Sequence, residues 1–318
     1  MGASLAGKLF SEIARAAGNV NPNVVKQKKK NVVKDLRSME PLFRRYIAPI
    51  GYRYKKVDVD GVPTEVFSKK KDPSDNLIFV IHGGAYISRM MFYYRLLNKR
   101  YSKASGGGTV VHFDYRCAPE YKYPCALEDT LKVWNWVLEQ GFKEENIVTV
   151  GDSAGGHLSV NLMMKLHDTG RKQPRAAVLM SPWLDMTASG DSYVYNYKVD
   201  PVFGIRGETP TAEEVKSMLM ESELYMWLGD NDRKDPYISP VYAEFDGTYP
   251  PIFVTVGGYE MLKSDSETLV EKFRKAGVKA ELYVGEGMFH VFPVYQLFPE
   301  AQKGLKAVCA FIKGEYEL

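Results

Sequence analysis

The chain lacks the features that define several protein classes. It has three cysteines in 318 residues, Cys117, Cys125 and Cys309. They are odd in number and their spacing fits no metal-binding pattern, which argues against a disulfide scaffold or a zinc module. Reduced thiols in a cytoplasmic protein are the expectation. No apolar run approaches the ~18 residues that span a bilayer, so membrane insertion is not expected. Neither sign of charge dominates: 42 basic and 39 acidic residues leave a net charge of +3. That balance makes no broad positive field, and a nucleic-acid partner is not expected. The opening stretch MGASLAGKLFSEIARAAGN holds no long apolar core and no convincing cleavage site, so no secretory leader is expected. Gly2 invites a myristoylation reading, but position 6 is Ala rather than Ser or Thr.

What is present suits a large globular core: 45% of residues are apolar and 25% charged. Leu5, Leu9, Ile13 and Ala17 recur at helical spacing near the start. The basic stretch KQKKKNVVKDLR, residues 26–37, follows. It reads as the wet face of a helix carrying Val32, Val33 and Leu36, with an anionic-partner site as the alternative. From residue 52 the pattern becomes alternating strands and helices. Strands are expected at 52–59, 63–68, 77–81, 109–114, 146–150, 176–180, 252–256 and 280–284. The first two alternate and can form a hairpin through Asp60-Gly61. Later ones, such as LIFVI and IFVTV, are continuous apolar runs, as in parallel strands buried on both faces. Leu127, Leu131, Trp134 and Leu138 form one helical stripe, and Leu269, Phe273 and Ala276 another. The second helix carries a capping box, Ser264 with Glu267, and ends at Gly277. This alternation argues a mainly parallel sheet covered on both faces. It breaks once, where about seventy residues rich in Tyr, Met and Trp separate the strands ending near 180 and starting near 252. An insertion that long is usually a lid or a helical addition.

The chemistry centres on IVTVGDSAGGHLSV, residues 147–160. Gly151-Asp152-Ser153-Ala154-Gly155 fits G-x-S-x-G with a strand before it and a helix after it. The pattern needs glycine two residues either side of the serine because side chains there would strike neighbouring backbone. The turn lifts the Ser153 hydroxyl off the sheet and aims the Ala154 amide at an oxyanion. A phosphate-cradling turn is the alternative, but the Lys-Ser/Thr ending of a P-loop and dinucleotide glycine spacing are both missing.

A serine hydroxyl needs a base. Of five histidines, His112 lies inside a strand pattern, and His157 and His167 lie on the helix after the serine. His82 leads into Gly83-Gly84, and His290 sits in GEGMFHVFP, a loop after the last strand. Such a loop emerges at the sheet edge that also carries Ser153, so His290 is the expected base. Glu260, just beyond the seventh strand, is the expected acid. Asp265 is the fallback, since a carboxylate in a first helical turn already has a helix-dipole role. The amides of Gly83 and Gly84, in IHGGAY after the third strand, would complete an oxyanion hole with Ala154.

Together HGGAY, DYRCAPEYKYPCALED, GDSAGGHL, SPWLD, DPYISP, PPIFVTVGGYEML and GMFHVFP, in this order, resemble the hormone-sensitive-lipase family of α/β-hydrolase esterases over about residues 50–318. The resemblance implies an α/β-hydrolase fold: a mostly parallel eight-stranded sheet, helices on both faces and a helical cap. The core would be 50–184 and 239–318, with cap elements at 1–49 and 185–238. It also implies hydrolysis of a small-molecule carboxylic ester without metal or organic cofactor, and a homodimer is compatible with it. Two departures stand out: Ala85 replaces the third oxyanion glycine, and Glu260 stands where the family has Asp. The expected function is a serine carboxylesterase for short-acyl esters. The alternatives are an acetyl esterase acting on carbohydrates, an interfacial lipase and a non-catalytic ligand binder on this scaffold.

Overall fold

A computed structural model describes residues 3–19, 32–37, 46–204 and 209–318. Strands β1 (Tyr52–Val59) and β2 (Val62–Lys69) pair as a hairpin in the expected place. Its two-residue turn, Asp60-Gly61, has φ of 48° and 85°, the left-handed pair that matches strand twist. Six further strands follow: β3 (Leu77–Ile81), β4 (Thr109–Phe113), β5 (Ile147–Asp152), β6 (Ala176–Met180), β7 (Ile252–Gly257) and β8 (Ala280–Gly285). All eight form one sheet in the order β1-β2-β4-β3-β5-β6-β7-β8. Strand β2 is antiparallel to both neighbours, and every other pairing is parallel.

The described helices are α1 (Leu5–Asn19), α2 (Val32–Arg37), α3 (Tyr93–Ala104), α4 (Cys125–Glu139), α5 (Ala154–Asp168), α6 (Ser192–Tyr195), α7 (Ala212–Met220), α8 (Lys263–Lys275) and α9 (Pro299–Glu315). The two-residue period of the strands sorts them onto two faces. Leu77, Phe79 and Ile81 pack with Trp134 of α4 and Leu158 of α5. Ile78 and Val80 pack with Leu97 of α3 and Val308 of α9. Ala177 and Val254 meet Met163 of α5 and Phe273 of α8. Strand β3 is therefore buried along its whole length, and each large side chain so enclosed stabilises the fold by roughly 1.5–3 kcal/mol. Among the described residues, no helix is long and apolar enough to cross a membrane.

The long stretch between β6 and β7 folds over the C-terminal ends of the strands. Tyr193, Leu219, Leu224 and Trp227 join the same cluster as Ala154 and Trp183. Arg15 of α1 donates to the Val199 carbonyl at 2.8 Å, tying the N-terminal helix to that insertion.

One local expectation holds and another is corrected: the N-terminal helix forms where the spacing expects it, and the cap of α8 does not. Helix α1 turns Leu5, Leu9 and Ile13 outward, at 87%, 61% and 50% exposure. Its packed face is Ala6, Phe10 and Ala14, with Phe10 stacked on Phe298 at 5.0 Å. Close approach decides this: a Cβ on Gly7 would lie 2.7 Å from the Glu300 carboxylate, which the Ser4 amide and hydroxyl grip at 2.6 and 3.0 Å. Gly7 admits that approach, and Phe10 fills the space beside it. Helix α8 starts at Lys263 without a side-chain cap. Ser264 instead donates to the Ser192 hydroxyl at 2.7 Å, and Glu267 pairs with Lys263 at 2.6 Å. The helix does run out at Gly277, with φ of 79°. Residues 26–31 of the basic stretch lie outside the described residues. Arg37, at the end of α2, grips the carbonyls of Ile87 and Ala118 and the Glu120 carboxylate.

Candidate active site

Strand β5 passes into α5 through Ser153, whose φ of 50° is left-handed. A Cβ on Gly151 would lie 2.3 Å from the Gly155 carbonyl oxygen, and one on Gly155 would lie 2.0 Å from that of Ile81. Glycine is thus required at both positions. Ser153 lines an apolar pocket walled by Ala85, Trp183, Phe203, Leu219 and Leu262 among others.

His290 lies beyond β8 and Glu260 beyond β7. The imidazole Nδ1 is 2.8 Å from Glu260 Oε2. The other carboxylate oxygen, Oε1, accepts from the Ser181 hydroxyl at 2.6 Å and the Gly257 amide at 2.5 Å. A carboxylate accepts hydrogen bonds, so it holds the proton on Nδ1 and leaves the Nε2 lone pair facing away. The His290 ring meets Phe203 edge-on at 4.9 Å, and Phe203 lines the same pocket as Ser153. The extra methylene of Glu260 does not prevent the contact. Asp265 takes no part in it. Its Oδ2 accepts from the amides of Leu184 and Asp185 and from the Tyr193 hydroxyl. Burial, with the nearby Asp185 carboxylate, pushes its pKa well above the usual range.

The oxyanion expectation is corrected in one member. The Gly83 amide donates to the Tyr94 hydroxyl at 2.7 Å and to Asp152 Oδ1 at 3.2 Å, so it is occupied. The Asp152 side chain beneath the loop takes it, and a Cβ on Gly83 would strike that carboxylate at 2.4 Å. The chain then turns sharply through Gly84, Ala85 and Tyr86, with φ of 115°, 53° and 61°. Among the described residues the amides of Gly84, Ala85 and Ala154 carry no hydrogen bond. Ala85 lines the pocket beside Ser153.

The remaining histidines are engaged elsewhere. His82 is buried against Tyr115, ring on ring at 4.1 Å, and burial lowers its pKa. His112 bonds Asn98, and His157 bonds the Tyr86 hydroxyl and the Ile238 carbonyl. Burial pushes each of those two down to about 4. His167 is on the surface with Asp246. Among the described residues no three His, Cys, Asp or Glu side chains gather as metal ligands would.

Sequence reasoning missed Tyr94 and Ser181, and used Asp152 only as a motif position. Asp152 accepts from Tyr94 at 2.8 and 3.0 Å, and burial pushes its pKa from 3.8 up to about 6. The folded protein therefore keeps this proton to a higher pH than the unfolded chain does. That advantage is complete below the unfolded pKa and is lost as pH rises from about 4 through about 6, by about 3 kcal/mol. Buried Asp200, also raised to about 6, adds to the same window. Asp152→Asn should remove its share, so the stability difference between wild type and variant changes across that window in urea melts. A difference that stays constant with pH would contradict this account.

These features define an α/β protein whose candidate residues Ser153, Glu260 and His290 lie beyond the C-terminal ends of β5, β7 and β8 in a mainly parallel sheet. A family model described as alpha/beta hydrolase fold matches residues 78–294. The chain is 32% identical to an esterase of Acinetobacter venetianus over 76% of each protein. It is 28% identical to an acetyl-hydrolase of Streptomyces hygroscopicus over 74% of this chain and 75% of that protein. A solved structure of an esterase from the bacterial hormone-sensitive lipase family superposes with a TM-score of 0.81. It is 29% identical and covers 99% of this chain and all of that one. The chain belongs to the alpha/beta hydrolase family, among the hormone-sensitive-lipase-like members.

Proposed function

We propose that the protein is a serine carboxylesterase for small, short-acyl esters, with Ser153 as nucleophile, His290 as base and Glu260 orienting it. The observation that carries this reading is the 2.8 Å contact between His290 Nδ1 and Glu260, beside the pocket into which Ser153 opens. His290 Nε2 takes the Ser153 proton as Oγ attacks the ester carbonyl. The amides of Gly84 and Ala154 receive the oxyanion, and Ala85 offers a third donor. The imidazolium, stabilised by Glu260, then protonates the departing alcohol. Water, deprotonated by the same nitrogen, attacks the acyl-enzyme and returns Ser153. In this reading segments 1–49 and 185–238 act as the cap that closes the pocket, and the three free cysteines suit a cytoplasmic setting.

Acyl length follows from the walls. Phe203, Leu219 and Trp183 crowd the pocket beside Ser153 with large apolar side chains, which suits a small acyl group and would exclude a long chain. The acetyl-hydrolase relative supports an acetate-sized group. In a nitrophenyl ester series, kcat/KM should peak between acetate and butyrate and fall at least about tenfold by palmitate. A peak at palmitate with a jump in rate on emulsions would favour an interfacial lipase. Failure to label with a fluorophosphonate, which traps activated serines, would favour a non-catalytic binder.

A further inference from the structure

Three loops must agree for His290 to be useful, and one buried hydroxyl touches all three. Ser181 follows β6, is fully buried and has φ of 48°. Its amide donates to the Thr255 carbonyl of β7 at 2.6 Å. Its hydroxyl donates to Glu260 Oε1 at 2.6 Å and accepts from the Val291 amide at 3.0 Å. Val291 is the residue after His290 and is itself left-handed, with φ of 55°. A single oxygen thus joins the carboxylate to the backbone that carries the imidazole.

We propose that Ser181 is a positioning residue that seats the longer acid Glu260 against His290 and fixes the His290 loop. This rests on the functional reading above. A glutamate has one more rotatable bond than an aspartate, and that freedom must be removed for the carboxylate to hold one geometry. Here Oε1 is pinned by Ser181 and the Gly257 amide, so Oε2 alone faces His290.

The test uses Ser181→Ala and Ser181→Gly in the full chain. Glycine relieves the left-handed backbone, so at least that variant keeps the fold. Both should lower kcat about 10- to 100-fold, the scale of an ångström of misplacement, with KM within about twofold. In a Glu260→Asp background the shorter carboxyl no longer spans both partners, so the loss from Ser181→Ala should shrink. A purely structural serine would lower Tm and leave kcat of the folded enzyme within a few fold of wild type. Wild-type kcat in either variant, or an undiminished loss from Ser181→Ala in the Glu260→Asp background, overturns the proposal. Normal Ser181 variants beside an inactive Ser153→Ala enzyme bring down this inference alone, whereas an active Ser153→Ala enzyme brings down the functional reading with it.

Discussion

Ser153→Ala should lower kcat for nitrophenyl acetate by about a million-fold, the cost of losing the nucleophile of the proposed triad. The substitution removes one oxygen and little else. Alanine and serine pay nearly the same for a φ of 50°, so the turn is retained. The Ser153 amide still donates to the Met180 carbonyl, and the Ser153 carbonyl still accepts from the amides of His157 and Trp183. Melting temperature should therefore stay within a few degrees, and a non-hydrolysable ester analogue should still bind. Activity near that of wild type would remove Ser153 from the chemistry. A large fall in melting temperature would show that the hydroxyl had been structural.

Glu260→Gln should cost about 10³- to 10⁴-fold in kcat. The hydrogen bonds on Oε1 dictate how the amide sits. Two donors, Ser181 and Gly257, require an acceptor there, so the glutamine oxygen takes that place and its NH2 faces His290 Nδ1. Two donors cannot share a proton, so the imidazole moves its proton to Nε2 and can no longer accept one from Ser153. Asp265→Asn should leave kcat within a few fold, because Asp265 braces the Leu184–Asp185 backbone rather than the imidazole. The two variants assayed side by side decide which carboxylate serves His290. The opposite ranking of losses would reverse the assignment.

The strand pattern and the hairpin were legible because their causes are local. Continuous apolar runs mark strands buried on both faces, and Asp60-Gly61 supplies its own left-handed turn. The Gly151–Gly155 turn was legible for the same reason, since its glycines answer to backbone a few residues or one strand away. What the sequence concealed depends on partners far along the chain. The outward turn of Leu5, Leu9 and Ile13 follows from how closely α1 approaches Glu300. The Ser264-Glu267 pair has capping spacing, but Ser192 competes for the serine. Gly83 reads as an oxyanion donor until Asp152 and Tyr94 are placed beneath it. Ser181 is one hydroxyl in SPWLD, and nothing near it in the chain announces its contacts with residues 260 and 291.

The crevice gathers five non-glycine residues with left-handed backbone: Ala85, Tyr86, Ser153, Ser181 and Val291. Each such placement costs roughly 1–2 kcal/mol relative to ordinary geometry. Heat tolerance and turnover thus compete at the same few positions. Glycine there would relax the chain and slacken its aim, so variants hardened against temperature should draw their gains from the flanks of the sheet and leave its rim tense.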